Sequence, residues 1–346
     1  MYQPLLPLFL AGLAFTCGGL SSSTTHHKDP VTTVYQSSNN TFIENQLVLP
    51  NGHLLFTTLN SGDVFSLDPY AAQPVPKRVV SFPGTLAVTG ITSLGNGLYA
   101  ATAGVQEGLA FHNMALHVFK LDGTLISRIP GPDPSLLNGI ATLPTNPNIV
   151  LSADSYNGQI IRFNTKTKTA SVAVSAAEEP ELAAGDLTLP LPEGVNGIKI
   201  RGGYLYFTNT YLGTFGRFRI DAFDGRKVGR VEILARLEQP TGFGRAYDDF
   251  VLDGEGNAYI TQHYNTIVKV CARNKAVSVV PGTGRDDGKI HAPTAVAFSK
   301  DGSSLFVTTA STSFTGTAYS GGVFSIKLDE ASKGGKLSYT RNLVVI

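Results

Sequence analysis

The stretch Gly194-Val195-Asn196-Gly197-Ile198-Lys199-Ile200, then Arg201-Gly202-Gly203, then Tyr204-Leu205-Tyr206-Phe207-Thr208-Asn209-Thr210 decides the fold. A polar residue leads into an apolar strand, a glycine-rich turn reverses the chain, and an alternating strand returns. Glycine supplies positive φ in the turn at little cost, and the alternation is the period-2 signature of a half-buried strand. The plan recurs at Glu44-Asn45-Gln46-Leu47-Val48 with turn Pro50-Asn51-Gly52, and at Gly90-Ile91-Thr92 with turn Gly95-Asn96-Gly97. It returns at Asn138-Gly139-Ile140-Ala141, at Asp248-Asp249-Phe250-Val251-Leu252, and at Pro293-Thr294-Ala295-Val296. Copies start roughly 45 to 58 residues apart, the spacing of propeller blades. A third strand follows each copy, as at 63–67, 159–163 and 217–220, which a chance likeness within a plain sandwich would not supply. The chain therefore reads as all-β, a six-bladed β-propeller, with blades over about 42–80, 87–128, 135–174, 192–235, 244–280 and 291–330. Val31–Gln36 lies upstream of the first repeat and is a candidate outer strand for the last blade; 336–346 is a second candidate.

Composition agrees. Charged residues make up 15% of 346 positions and Gly numbers 37, which suits short strands and tight turns. No segment sustains a 3.6-residue apolar period. Lys and Arg number 27 against 26 Asp and Glu, a net charge of +1, and the basic residues are scattered. A nucleic-acid partner requires a clustered basic footprint, so none is expected.

Residues 1–22 read as a secretory signal peptide, because Leu5–Phe15 is apolar, uncharged and short for a bilayer span. Residues 23–41 form an N-terminal arm carrying the closing strand, and 42–346 form the propeller. A secreted or lumenal location follows, with no stable membrane span after cleavage and a monomer or weak oligomer; the alternative is an uncleaved anchor that holds the propeller on the lumenal side. Asn39-Asn40-Thr41 is a glycosylation sequon, with Asn39 the acceptor. Cys17 falls in the signal and Cys271 stands alone, so packing rather than a disulfide must hold the mature fold.

In a propeller, the links leading into the innermost strands and the loops after the second strands open on one end of the ring. That end gathers Glu44, Asn138, Asn196 and Asp248, four oxygen donors of the type a hard cation such as Ca²⁺ takes. Asn and Asp also cap turns through backbone N–H groups, an equally ordinary use of these residues. The same end gathers Phe111, Tyr156, Tyr211, Phe215, Tyr247, Tyr264 and Phe314, a lining suited to small, flat, apolar metabolites; the alternative for each ring is packing between blades. His112, His263 and His291 are the histidines of these loops. No Gly-x-Ser-x-Gly elbow and no zinc-spaced Cys/His cluster exists.

The Glu44–Val48, Asn138–Ile140, Asn196–Ile198 and 248–253 motifs resemble the SMP-30/gluconolactonase family of six-bladed calcium-dependent propellers. That resemblance implies Glu44, Asn138, Asn196 and Asp248 as metal ligands, and Asp248 as general base of lactone hydrolysis. Two positions depart from the pattern: Asn45-Gln46 stands where Gly-Pro usually follows the Glu, and Asp249 where Gly usually follows the Asp. Leu137-Asn138-Gly139-Ile140-Ala141, the 194–210 unit and Tyr247-Asp248-Asp249-Phe250 with Asn257-Ala258-Tyr259-Ile260-Thr261 are similar to a fungal secreted branch. Some members of that branch resemble hetero-Diels–Alderases of tropolone–sesquiterpenoid (meroterpenoid) biosynthesis. This narrower resemblance implies coupling of an o-quinone methide diene to a humulene-type alkene, with no cofactor required. Asp248, His291 and Tyr247 are then the catalytic candidates, and Phe111, Tyr156, Asn196, Tyr211, Phe215, Tyr264 and Phe314 the substrate-binding ones. A calcium-dependent lactonase or esterase using Ca²⁺ is the alternative.

Overall fold

The computed structural model describes residues 30–108, 110–186, 192–238, 245–285, 288–311 and 319–328. Six four-stranded antiparallel sheets are arranged as the blades of a propeller. The first four blades start with Ile43–Val48, Ala87–Gly95, Leu137–Leu143 and Val195–Arg201. Tyr247–Leu252 and Pro293–Phe298 start the fifth and sixth. In blade 6 the outermost strand is Val31–Gln36, which pairs antiparallel with Gly322–Lys327. The arm upstream of the first repeat thus closes the ring, while 336–346 lies outside the described residues. So does 1–22, the stretch read as a signal peptide. Asn39 is exposed beside the closing strand. Among the described residues no helix is long and apolar enough to cross a membrane.

The core is divided into six wedges, each filling the gap between two neighbouring blades. Val88, Ile91 and Phe119 meet Leu55, Val64 and Phe82 between blades 1 and 2. Phe215, Tyr247 and Phe250 share the wedge between blades 4 and 5. Similar clusters fill the remaining four gaps. Each such side chain gains roughly 1.5–3 kcal/mol on burial, and the closed ring leaves no gap open.

A bulge occurs at the same place in all six blades. The pairing of the first two strands skips one residue at Ile43/Gln46, Val88/Ile91, Leu137/Ile140, Val195/Ile198, Tyr247/Phe250 and Pro293/Ala295. An inserted residue frees local backbone groups and re-aims side chains. In every blade but the third, where Ala153 stands at this place, a threonine hydroxyl on the second strand takes up freed groups. Thr57 Oγ1 accepts the Asn45 N–H (3.0 Å) and donates to the Thr89 carbonyl (2.7 Å). Thr102 accepts from Gly90 N–H and donates to the Asn138 carbonyl. Thr208 does the same between Gly197 N–H (2.9 Å) and the Asp248 carbonyl. The repeat read in the sequence is therefore a repeat of bulges as well as strands.

Candidate active site

The bulges bring two consecutive residues per blade toward the axis. Glu44, Asn138, Asn196 and Asp248 are all buried there. Asn196 Nδ2 donates to Thr210 Oγ1 (2.9 Å) and to the Asp248 carboxylate. Asp248 Oδ2 lies 3.3 Å from His263 Nε2, so this histidine is the one the fold sets against the acid. Burial, and then the carboxylates of Asp248, Asp249 and Glu193, hold the Glu44 carboxyl well above the usual range. Asp248 is raised too, chiefly by burial, with His263 working against that.

Glu193 is the site residue that the repeat register did not disclose. It stands between Pro192 and Gly194, just ahead of the blade 4 strand. Burial first, and then Asp248, raise its carboxyl, while His263 opposes. Its only sequence signal is a carboxylate one step before the glycine that opens the clearest repeat. Tyr156 faces this acid: burial and the Glu193 charge push its phenol up to about 12, so it remains an O–H donor at neutral pH.

The remaining candidates divide between the mouth and the core. Tyr156 is half-buried and meets Phe111 edge-on at 6.0 Å, with Phe111 itself in the wedge between blades 2 and 3. Tyr211 is half-buried, its N–H donating to the Glu193 carbonyl (2.7 Å), and its ring packs over Gly185 of the linker. Tyr264 is 39% exposed. His291 is stacked on Tyr319, centroids 3.7 Å apart. Phe215 and Tyr247 are corrected: they sit in the wedge between blades 4 and 5, at 2% and 1% exposure, with Phe215 against Tyr206 and Phe250. Tyr247 opens the innermost strand of blade 5 and Phe215 is the second residue of the third strand of blade 4, and both rings fill the gap between these two blades. Phe314 lies outside the described residues.

One layer further along the axis, the two departures from the calcium-propeller pattern meet each other. Asn45 Nδ2 donates to Asp249 Oδ2 (3.1 Å), and Lys199 Nζ reaches Asp249 Oδ1 and Oδ2 at 2.5 and 2.8 Å. Blades 1, 4 and 5 are thereby joined across the channel. Gly197 permits it, since a Cβ there would stand 2.5 Å from Asp249 Oδ1.

Does the ring suit calcium? Crowded, buried negative charge around Glu44 is the condition a hard cation relieves, and the oxygen donors are of the right type. Among the described residues no three acid, His or Cys side chains are grouped to hold a metal by themselves. A calcium ion would therefore depend on the amide oxygens of Asn138 and Asn196 together with Glu44 and Asp248.

No protein-family profile matches the chain. Two fungal proteins with provisional hetero-Diels-Alderase names are each 26% identical to it. One, asR5 of Sarocladium schorii, aligns over 321 residues, 81% of this chain and 78% of its own. The other, from a Phoma species, aligns over 312 residues, 80% of this chain and 85% of its own. Among solved structures, a luciferin-regenerating enzyme superposes with TM-score 0.61 at 14% identity, covering 86% of this chain and 96% of that one. Regucalcin of Agrobacterium tumefaciens, described as calcium-binding, gives 0.56 at 16% identity, covering 82% and 89%. The structural likenesses establish the fold alone.

Proposed function

We propose that the chain couples two apolar metabolites at the axial mouth, a hetero-Diels–Alder reaction between an o-quinone methide of tropolone type and a humulene-type alkene. The observation that carries this reading is the similarity to two proteins of that name, spread over four fifths of the chain. The mouth supports it. Tyr156, Tyr211 and Tyr264 offer flat apolar faces with polar tips, and the Cys271 thiol is buried in blade 5. Cycloaddition needs no nucleophile. It needs two partners held face to face, an effect with a ceiling of ~7–11 kcal/mol, which a loosely gripped terpene realises only in part. A hydrogen bond to the diene carbonyl adds ~1–3 kcal/mol, because charge builds on that oxygen in the transition state.

Hydrolysis of a lactone is the second reading, favoured by one observation: the Asp248–His263 contact is the geometry of an acid oriented by a base. Calcium held by Glu44, Asn138, Asn196 and Asp248 would supply carbonyl polarisation there. Secretion, glycosylation at Asn39 and calcium occupancy are proposed on the sequence alone.

Assaying wild type, Asp248→Asn and Tyr211→Ala on both substrate classes separates the readings. Coupling predicts that Tyr211→Ala lowers stereoselectivity as well as rate, while Asp248→Asn slows coupling modestly and chelator leaves it intact. Robust lactone hydrolysis by wild type, lost in Asp248→Asn and untouched in Tyr211→Ala, would overturn coupling.

A further inference from the structure

Glu193 belongs to no repeated motif, yet the fold pins it with care. Its carbonyl accepts the Tyr211 N–H (2.7 Å), and the next residue, Gly194, donates to the Ser155 carbonyl (2.7 Å) and accepts from Thr210 N–H (3.0 Å). Pro192 on the other side accepts from Gly185 N–H (2.8 Å). Gly194 is pressed against the linker, where a Cβ would stand 2.6 Å from the Leu182 carbonyl. Blade 3, blade 4 and the linker thus fix the backbone on both sides of this one carboxyl.

Its Oε2 is buried with no protein hydrogen-bond partner. An orphaned buried carboxyl oxygen costs stability unless a ligand satisfies it. Asp248 and His263 act on its charge, and its charge in turn acts on Glu44 and Tyr156, all residues of the mouth. Lys199 is instead engaged by Asp249, one layer further along the axis.

We propose that Glu193 is the substrate-anchoring residue of the mouth, its Oε2 accepting a hydrogen bond from the ring hydroxyl of a planar oxygenated substrate that lies against Tyr156. This rests on the coupling reading and names the residue that orients its diene. The anchor fixes the ring oxygen next to the Asp248–His263 pair and leaves the apolar face of the ring turned to Tyr156. It also replaces Tyr247, whose ring the fold commits to the core, as the source of the polar contact.

Tropolone is the probe. Its absorbance is followed during titration with the full chain as wild type, Glu193→Gln, Glu193→Leu and, as a distant carboxylate control, Glu232→Gln in the blade 4 outer strand. Glu193→Leu should weaken binding about tenfold, the loss of one hydrogen bond in a buried site. Glu193→Gln, which keeps a donor and an acceptor in the same shape, should stay within about threefold of wild type, and Glu232→Gln should be unchanged. A merely structural role would lower the melting temperature of Glu193→Leu without this split between Gln and Leu. Wild type that fails to bind tropolone, or Glu193→Leu that binds it as wild type does, would overturn the anchor. The coupling reading falls separately: Glu193-dependent tropolone binding in a protein that leaves a diene–alkene mixture at its uncatalysed rate and product ratio keeps the anchor and removes the coupling.

Discussion

Asp248 and Asp249 leave the same bulge, are both buried, and do opposite things. Asp249 is satisfied completely: Lys199, Asn45 and the Phe250 N–H all donate to it, and the contact binds three blades across the axis. Asp248 faces the mouth, where Asn196 and His263 are its polar company and Glu193 and Glu44 crowd it with like charge. Burial alone would rank the two alike. What distinguishes a structural carboxylate from a chemical one is whether the protein itself completes its hydrogen bonds. Asp249 closes the channel beneath the mouth; Asp248 remains available above it.

The sharpest way to break this contrast is to remove Lys199, the cation paired with Asp249. Lys199→Met strands the Asp249 charge in a buried layer. Breaking a fully buried pair costs about 3–5 kcal/mol, and the half-exposed lysine reduces that to about 2–3 kcal/mol here. A protein of this size should then melt about 5–10 °C lower. Adding Asp249→Asn to Lys199→Met should restore most of the loss, because no unpaired charge remains. Asp248→Asn alone should change the melting temperature little. Equal destabilisation by Lys199→Met and Asp248→Asn at neutral pH would erase the distinction.

Next comes the pH dependence of the mouth. Glu44, Glu193 and Asp248 hold their protons more tightly folded than unfolded. The stability they contribute is therefore complete below the ordinary carboxylate range, near pH ~4, and is lost as pH rises through their raised values. Asp248→Asn should flatten that alkaline-side decline, gaining stability relative to wild type between acid and neutral pH. Urea midpoints measured across that interval report it. A decline as steep in the variant as in wild type would mean Asp248 is not strained in the mouth.

The smallest effect is a control outside both layers. His117 is buried against Phe82, ring centroids 4.4 Å apart, its Nε2 has no partner, and burial with the nearby Arg128 charge lowers it to about 4. A depressed histidine favours folding at and above its unfolded value near 6.5, and that stability is lost as pH falls toward 4. His117→Leu should remove about 1–2 kcal/mol of the acid-side loss at pH 5 while leaving the alkaline slope, set by the mouth, as it was. If the acid limb is unchanged, the burial of this ring does not govern it.

Period-2 alternation, glycine turns and a fixed spacing sufficed to read six blades, because these local preferences repeat and each copy confirms the others. The arm Val31–Gln36 was readable as a closing strand for the same reason: it alternates and has no blade of its own. The ring of Glu44, Asn138, Asn196 and Asp248 followed from the register. Facing was beyond reach. The bulge shifts the side-chain sequence of the innermost strand by one, so Tyr247 enters a wedge while Asp248 and Asp249 turn inward, and Phe215 of the neighbouring blade packs in that same wedge. Partners across the axis are equally hidden, since Asn45 and Asp249 are 204 residues apart and each looks like an isolated departure from a motif until the ring closes. Glu193 lies outside the repeat, so only the packing of blade 3, blade 4 and the linker around it showed where its carboxyl goes. Local propensity set the strands and turns of this protein; closure of the ring, by bringing distant residues to one axis, decided which buried polar groups the fold satisfies and which it leaves for a ligand.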